Sequence, residues 1–349
     1  MVVVGEGALA RLPALLDEAD LPPAPPVVTD TNVGPLWARE TARRLGAPPP
    51  LELVPGEENK QWSQAEAICR RLLGLGVHRG GALLAVGGGV LTDTAGFAAA
   101  VYQRGIDWAA APTTLLGMVD ASVGGKTGVN LSEGKNLVGV FWAPRLVVAD
   151  IAVLATLPGR ELRAGLAEVI KTAWIGDREL LDLFPTPVSG FGDLPPGAWA
   201  GIVARAIRVK ASIVTRDERE AGLRQVLNLG HTLGHALEAA TGYTRFLHGE
   251  AVAWGLLAVA WIARWRGVLS PEAHGRLTSA VGRLGPLPPV DDLGPERIVE
   301  HLTVDKKRTE RGVPWILPSD DGVLEGQDVS RPEVFRALAT ISRSGRDGG

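Results

Sequence analysis

LLAVGGGVLTDTAGF (residues 83–97) decides the architecture of the first half of this chain. A short apolar run passes through three glycines into a segment of helical texture, the pattern of a buried strand turning into a helix. Glycines at such a turn let backbone N–H groups and the helix N-terminus meet a phosphate, where the helix dipole favours negative charge. The spacing is not G-x-G-x-x-G and no Walker lysine follows, so the motif points to phosphate without naming the nucleotide. Outward from it, MVVV (1–4), PPVVTD (25–30), LELV (51–54), ALLAVGGG (82–89), DWAAAPTT (107–114) and RLVVAD (145–150) read as strands, and 34–45, 60–75 and 89–100 as helices. Such alternation predicts a parallel sheet covered on both faces. Asp30 closes the VVTD strand, where an acid can hydrogen-bond ribose hydroxyls.

Beyond residue 158 strands nearly vanish. Helices are expected at 159–175, 177–184, 197–216, 223–240, 248–267, 271–284, 296–304 and 331–342, with one strand at VPWIL (313–317). The boundary falls near ADIAVLATLPGRE (149–161), giving an α/β domain over 1–156 and a helical domain over 157–349. Within the second, LNLGHTLGHALEAATGYTRFLHGEAVAWG (227–255) carries three of the chain's 6 histidines. His231 and His235, four apart, emerge on one helix face, and His248 opens the next helical run. Imidazole is the commonest protein ligand for zinc-like metals, and ligands one turn apart are placed by the backbone itself. The cluster predicts a metal site, and its spacing alone makes His231 and His235 both candidate ligands.

The composition suits an enzyme of the cytoplasm. A chain of 349 residues, 46% hydrophobic and 21% charged, can bury two sizeable cores. A net charge of −3 gives no reason to expect nucleic acid or an anionic membrane as partner. The single Cys69 rules out an internal disulfide and suits a reducing compartment. The opening MVVVGEGALARL has no basic n-region or cleavage site, and no long apolar run follows, so neither signal peptide nor membrane span is expected.

A second polar cluster, PTTLLGMVDASVGGKTGVNLSEGKNLVGVFWAP (112–144), packs Asp120, Lys126, Lys135 and Asn136 among glycines with little periodicity. A loop so rich in lysine, glycine and amide groups suits anion capture. PGEENK (55–60) adds Glu57 and Lys60, which singly would be surface charges.

With these stretches the chain resembles the 3-dehydroquinate synthase family almost end to end. PGEENK, GGGVLTDTAGFAAAVYQRGI, PTTLLGMVDASVGGKTGVN, GKNLVGVFWAP, TLPGRELRAGLAEVIK, RDEREAGLRQVLNLGHTLGHALE, HGEAVAWG and DKK all stand in the family's order and spacing. Gly117-Met118 and Ala164 depart from it without removing a charged group. The resemblance implies an N-terminal Rossmann-like domain binding NAD and an all-helical C-terminal domain holding zinc, for which cobalt can substitute. It implies conversion of 3-deoxy-D-arabino-heptulosonate 7-phosphate into 3-dehydroquinate and phosphate in the shikimate pathway. The course would be transient oxidation by NAD, β-elimination of phosphate, re-reduction, ring opening and an intramolecular aldol closure, a net lyase reaction.

Residue by residue, the resemblance gives the metal to Glu168, His231 and His248, and His235 to the substrate. It places Asp30, Asn32, Glu57, Lys60, Gly88, Gly89, Asp93, Thr113, Thr114 and Lys135 around NAD. Asp120, Lys126, Asn136, Lys171, Lys210, Glu220, Arg224, Asn228 and Lys306 (or Lys307) would surround the substrate. Arg104 would reach the phosphate from the neighbouring subunit of a homodimer. Carboxylate and phosphate both want cations, Arg224 and Lys210 for the first, Lys126 and Lys306 with Asn136 for the second. Related cyclases that make deoxyinosose or valiolone-type rings differ around these clamps, and here Arg224, Asn228 and the DKK lysines keep the dehydroquinate pattern.

Overall fold

The structure, a computed structural model, describes residues 1–184, 187–306 and 314–344, with side chains of 303–306 and 343–344 outside the description. The chain forms two compact units, Met1–Leu157 with Leu194–Ile207, and Pro158–Asp193 with Arg208–Gly349.

In the first unit, β1 (Val2–Gly5), β2 (Val27–Asp30), β3 (Leu51–Leu53), β4 (Ala82–Gly87), β5 (Asp107–Pro112) and β8 (Leu146–Asp150) form one sheet. Its order is β1-β8-β5-β4-β2-β3, and every pair is parallel. All six expected strands are present. Helices α1 (Leu12–Glu18), α2 (Arg39–Leu45), α3 (Trp62–Gly74) and α4 (Gly89–Val101) connect them. Successive residues of β4 serve opposite faces: Leu83 and Ala85 pack with Ile68, Leu72 and Phe97, whereas Leu84 and Val86 pack with Leu12, Leu15 and Leu16. Both faces are therefore covered, which is why the strand reads as an unbroken apolar run.

One expectation is corrected here. The glycine-rich stretch after residue 112 is not all loop, because β6 (Lys126–Leu131) and β7 (Gly134–Phe141) pair as an antiparallel hairpin. The strands approach so closely at Gly128 and Gly139 that a Cβ on Gly128 would lie 2.7 Å from the carbonyl oxygen of Val138. Glycine is needed there for contact, and its lack of a side chain erased the alternating pattern.

The second unit is built on α5 (Gly159–Gly176), α7 (His231–Ala240), α8 (His248–Trp265), α9 (Pro271–Gly282), α10 (Pro295–Lys306) and α11 (Arg331–Ser344). Helix α6 (Pro196–Arg216) begins in the first set of residues and ends in the second. The expected helix at 223–240 is two pieces, a 3-10 turn at Leu223–Asn228 and α7, separated by Gly230 in the left-handed region (φ 79). The expected 313–317 strand is β9 (Trp315–Ser319), paired with an unexpected β10 (Gly322–Gln327). Among the described residues no helix is long and apolar enough to cross a membrane.

Candidate functional site

The glycines around the histidines set the helix spacing of the second unit. A Cβ on Gly249 would overlap the Ala164 carbonyl of α5, and one on Gly255 would overlap the carbonyl of Gly230. Gly234 lies against α8, where a Cβ would stand 3.2 Å from the Ala251 carbonyl. Three helices are thus drawn together at His231, His248 and Glu168.

Glu168 is fully buried, and its Oε1 accepts no hydrogen bond. Its neighbours are the Lys171 ammonium, one turn along α5 and ion-paired with Oε2, and two imidazoles. Glu168 Oε1 lies 3.6 Å from Nε2 of His231 and 3.7 Å from Nε2 of His248. His235 is exposed, its ring centroid 5.3 Å from that of His231 and 5.8 Å from that of His248. One ligand nitrogen of each histidine falls within 4.8 Å of the others. Buried His231 and half-buried His248 each direct Nδ1 away from Glu168, that of His231 toward the Leu229 carbonyl at 3.3 Å and that of His248 toward Glu238 Oε2 at 3.2 Å.

A zinc-sized ion fits these donors. Bonds of about 2.0–2.1 Å in a tetrahedron separate ligand atoms by about 3.3 Å, close to the 3.6 and 3.7 Å from Glu168 Oε1 to the two Nε2 atoms. A buried carboxylate oxygen without a hydrogen bond is costly; with Lys171 paired to Oε2, Glu168 Oε1 is such an atom, facing the two imidazoles.

Lys210 and Arg224, like Lys171, are buried in this unit. Arg224 sits in a tightly held turn. Asp217 accepts from the amides of Ala221 and Gly222 (both 2.8 Å) and of Arg224 (3.0 Å), bonds that hold its carboxyl below the usual range. Glu220, in the left-handed region (φ 58), accepts from the Asn228 amide at 2.9 Å. Lys306 ends α10, but its side chain and all of Lys307 lie outside the described residues.

In the first unit Asp30, Gly88 and Thr113 lie at or just past the C-terminal ends of the adjacent strands β2, β4 and β5, where an α/β sheet binds its ligand. Asp30 Oδ1 accepts from the amides of Asn32 (2.9 Å) and Val33 (3.0 Å). Gly88 caps α4 and Gly89 begins it. A Cβ on Gly88 would stand 3.1 Å from Thr114 Cγ2, and one on Gly89 3.2 Å from Ala121. The Thr113 hydroxyl is buried with no hydrogen bond, a polar atom left for a ligand.

Lys60 is buried, its ammonium 2.6 Å from both Asp93 Oδ2 and Asn136 Oδ1. Burial pushes the Asp93 carboxyl above its ordinary range against the pull of Lys60, and the carboxylates of Glu57 and Asp120 push the same way. Asp120 sits in the turn Gly117–Ala121, Lys126 opens β6, and Lys135 and Asn136 begin β7. Arg104 is exposed with left-handed backbone (φ 66).

Sequence reasoning missed three residues that hold these groups in place. Asn130 donates to Glu57 Oε1 (2.8 Å) and accepts from the Asn136 amide (2.8 Å), tying hairpin to turn. Asp217 and Glu238 are the others. Glu238 had a legible signal, since His231, His235 and Glu238 stand at i, i+4 and i+7 on one helical face.

Comparison with known proteins follows these lines. The 2-epi-5-epi-valiolone synthase of Streptomyces hygroscopicus subsp. jinggangensis 5008, solved with NAD+ and Zn2+ bound, is 32% identical with a TM-score of 0.85, covering 99% of this chain and 97% of its own. A 2-deoxy-scyllo-inosose synthase, solved with carbaglucose-6-phosphate, NAD+ and Co2+, is 27% identical with a TM-score of 0.83, covering 97% and 96%. The fold is that of the sugar phosphate cyclases. Residues 50–164 match the family model of the 3-dehydroquinate synthase N-terminal part, and 165–308 that of its C-terminal part. The 3-dehydroquinate synthase of Symbiobacterium thermophilum is 43% identical over 98% of both chains. This chain belongs to the 3-dehydroquinate synthase family.

Proposed function

We propose that the protein converts 3-deoxy-D-arabino-heptulosonate 7-phosphate into 3-dehydroquinate and phosphate, as a phosphorus–oxygen lyase using NAD and one zinc or cobalt ion per subunit. The observation that carries the proposal is Oε1 of the buried Glu168, which accepts no hydrogen bond and is faced by Nε2 of both His231 and His248. Bound NAD would supply a hydride acceptor that returns the hydride, and the bound ion Lewis acidity at substrate hydroxyls.

Glu168, His231 and His248 would hold the ion, leaving exposed His235 to move a proton at the substrate. Lys171 would offset the Glu168 charge and contact the substrate. Lys210 and Arg224 would clamp the substrate carboxylate, with Glu220 and Asn228 shaping the turn that presents Arg224. Asp30, Asn32, Glu57, Lys60, Gly88, Gly89, Asp93, Thr113, Thr114 and Lys135 would line the nucleotide, and Asp120, Lys126, Asn136 and Lys306 the sugar phosphate. Arg104, being exposed, would serve the partner's substrate in a cytoplasmic homodimer. Held by cations at both ends, successive intermediates would stay in near-attack geometry.

Phosphate release from three substrates tests this. The heptulosonate phosphate should turn over, whereas sedoheptulose 7-phosphate and glucose 6-phosphate, lacking the carboxylate, should release little. Preference for either of the latter would move the protein to a sister activity and overturn the proposal.

A further inference from the structure

Glu238 is 3% exposed, an acid on the inner face of α7 that no step of the proposed reaction uses. Its Oε2 lies 3.2 Å from Nδ1 of His248, while Nε2 of the same ring faces Glu168 Oε1 at 3.7 Å. The two ring nitrogens of His248 are therefore spanned by two buried carboxylates from different helices. An imidazole that donates Nδ1–H to a carboxylate is fixed in the tautomer that leaves Nε2 free as a ligand, and becomes a stronger base. His231 achieves the same orientation through its own chain, because the turn at Gly230 brings the Leu229 carbonyl to 3.3 Å from its Nδ1. His248 opens α8 and relies on Glu238 from the neighbouring helix.

Charge balance leads to the same place. Lys171 already offsets Glu168, so a divalent ion would add positive charge to a buried site. Glu238 brings one negative charge back within reach of the ion through the His248 ring. We infer that Glu238 is a positioning residue for the metal, holding His248 in its ligating tautomer and balancing the ion's charge. The inference rests on the metal reading above.

Zinc affinity, measured by chelator competition on folded wild-type, Glu238→Gln and Glu238→Ala proteins, tests it, together with the visible spectrum after cobalt loading. Glu238→Ala should bind zinc more weakly by about 100-fold and shift the cobalt bands, and Glu238→Gln, whose carbonyl still accepts Nδ1–H without charge, by about 10-fold. A purely structural role would lower thermal stability of the metal-free protein and leave both metal readouts unchanged. Folded variants that bind zinc as tightly as wild type would overturn the inference. If Glu238→Ala does not fold, the same result for Glu238→Gln alone would do so. Failure of the wild-type protein to bind zinc or cobalt would instead sink the metal reading itself.

Discussion

At the scale of single residues, the second unit separates three histidines that the sequence presents as equals. His231 and His248 each have Nδ1 engaged and Nε2 turned to Glu168, whereas His235 is exposed beside them. Spacing alone favoured His231 with His235, the pair one turn apart. The pairing of His231 with His248 depends on two helices meeting at glycines, which no local pattern encodes. His235→Ala should therefore retain its zinc through dialysis while losing turnover by about 100-fold or more, the size of a lost proton-transfer group. His231→Ala should lose the metal. Equal metal loss in the two variants, read by elemental analysis, would return His235 to the ligand set. Glu168 itself was legible only through family resemblance, since a lone glutamate in an apolar helix is more often one end of an ion pair.

Between elements, contact at glycine carries the site. Gly249 lies on the Ala164 carbonyl of α5, and backbone cannot move aside as a side chain can. Gly249→Ala should cost about 1–3 kcal/mol as an overpacked contact and weaken metal binding, because His248 precedes it and Glu168 stands one turn beyond Ala164. Gly275, inside α9 with open space where its Cβ would go, is the control. Gly275→Ala should raise stability by about 0.4–1 kcal/mol through helix propensity, with metal affinity unchanged. Thermal melting and zinc titration of both variants check the pair. The same physics explains what was readable here. The central strands β4 and β8 are buried throughout and announce themselves as apolar runs, while β6 and β7 meet through Gly128 and Gly139 and were read as loop.

On the scale of the whole molecule, the alternating first half and helical second half were visible from composition and periodicity. The allocation of 194–207 to the first unit was not, because α6 runs through the division without a break in its pattern. Each unit carries its own part of the proposed chemistry, the strand ends and glycine turn in one, the glutamate and histidines in the other. The proposed reaction is redox-neutral, since hydride would leave and return to one substrate. The direct test is to give the zinc-loaded protein a large excess of the heptulosonate phosphate over NAD, following phosphate, dehydroquinate and NADH absorbance together. Phosphate and dehydroquinate should rise in step to completion, with many turnovers per NAD and no NADH build-up. Phosphate release that stops at one equivalent per NAD, or NADH that accumulates with product, would contradict it.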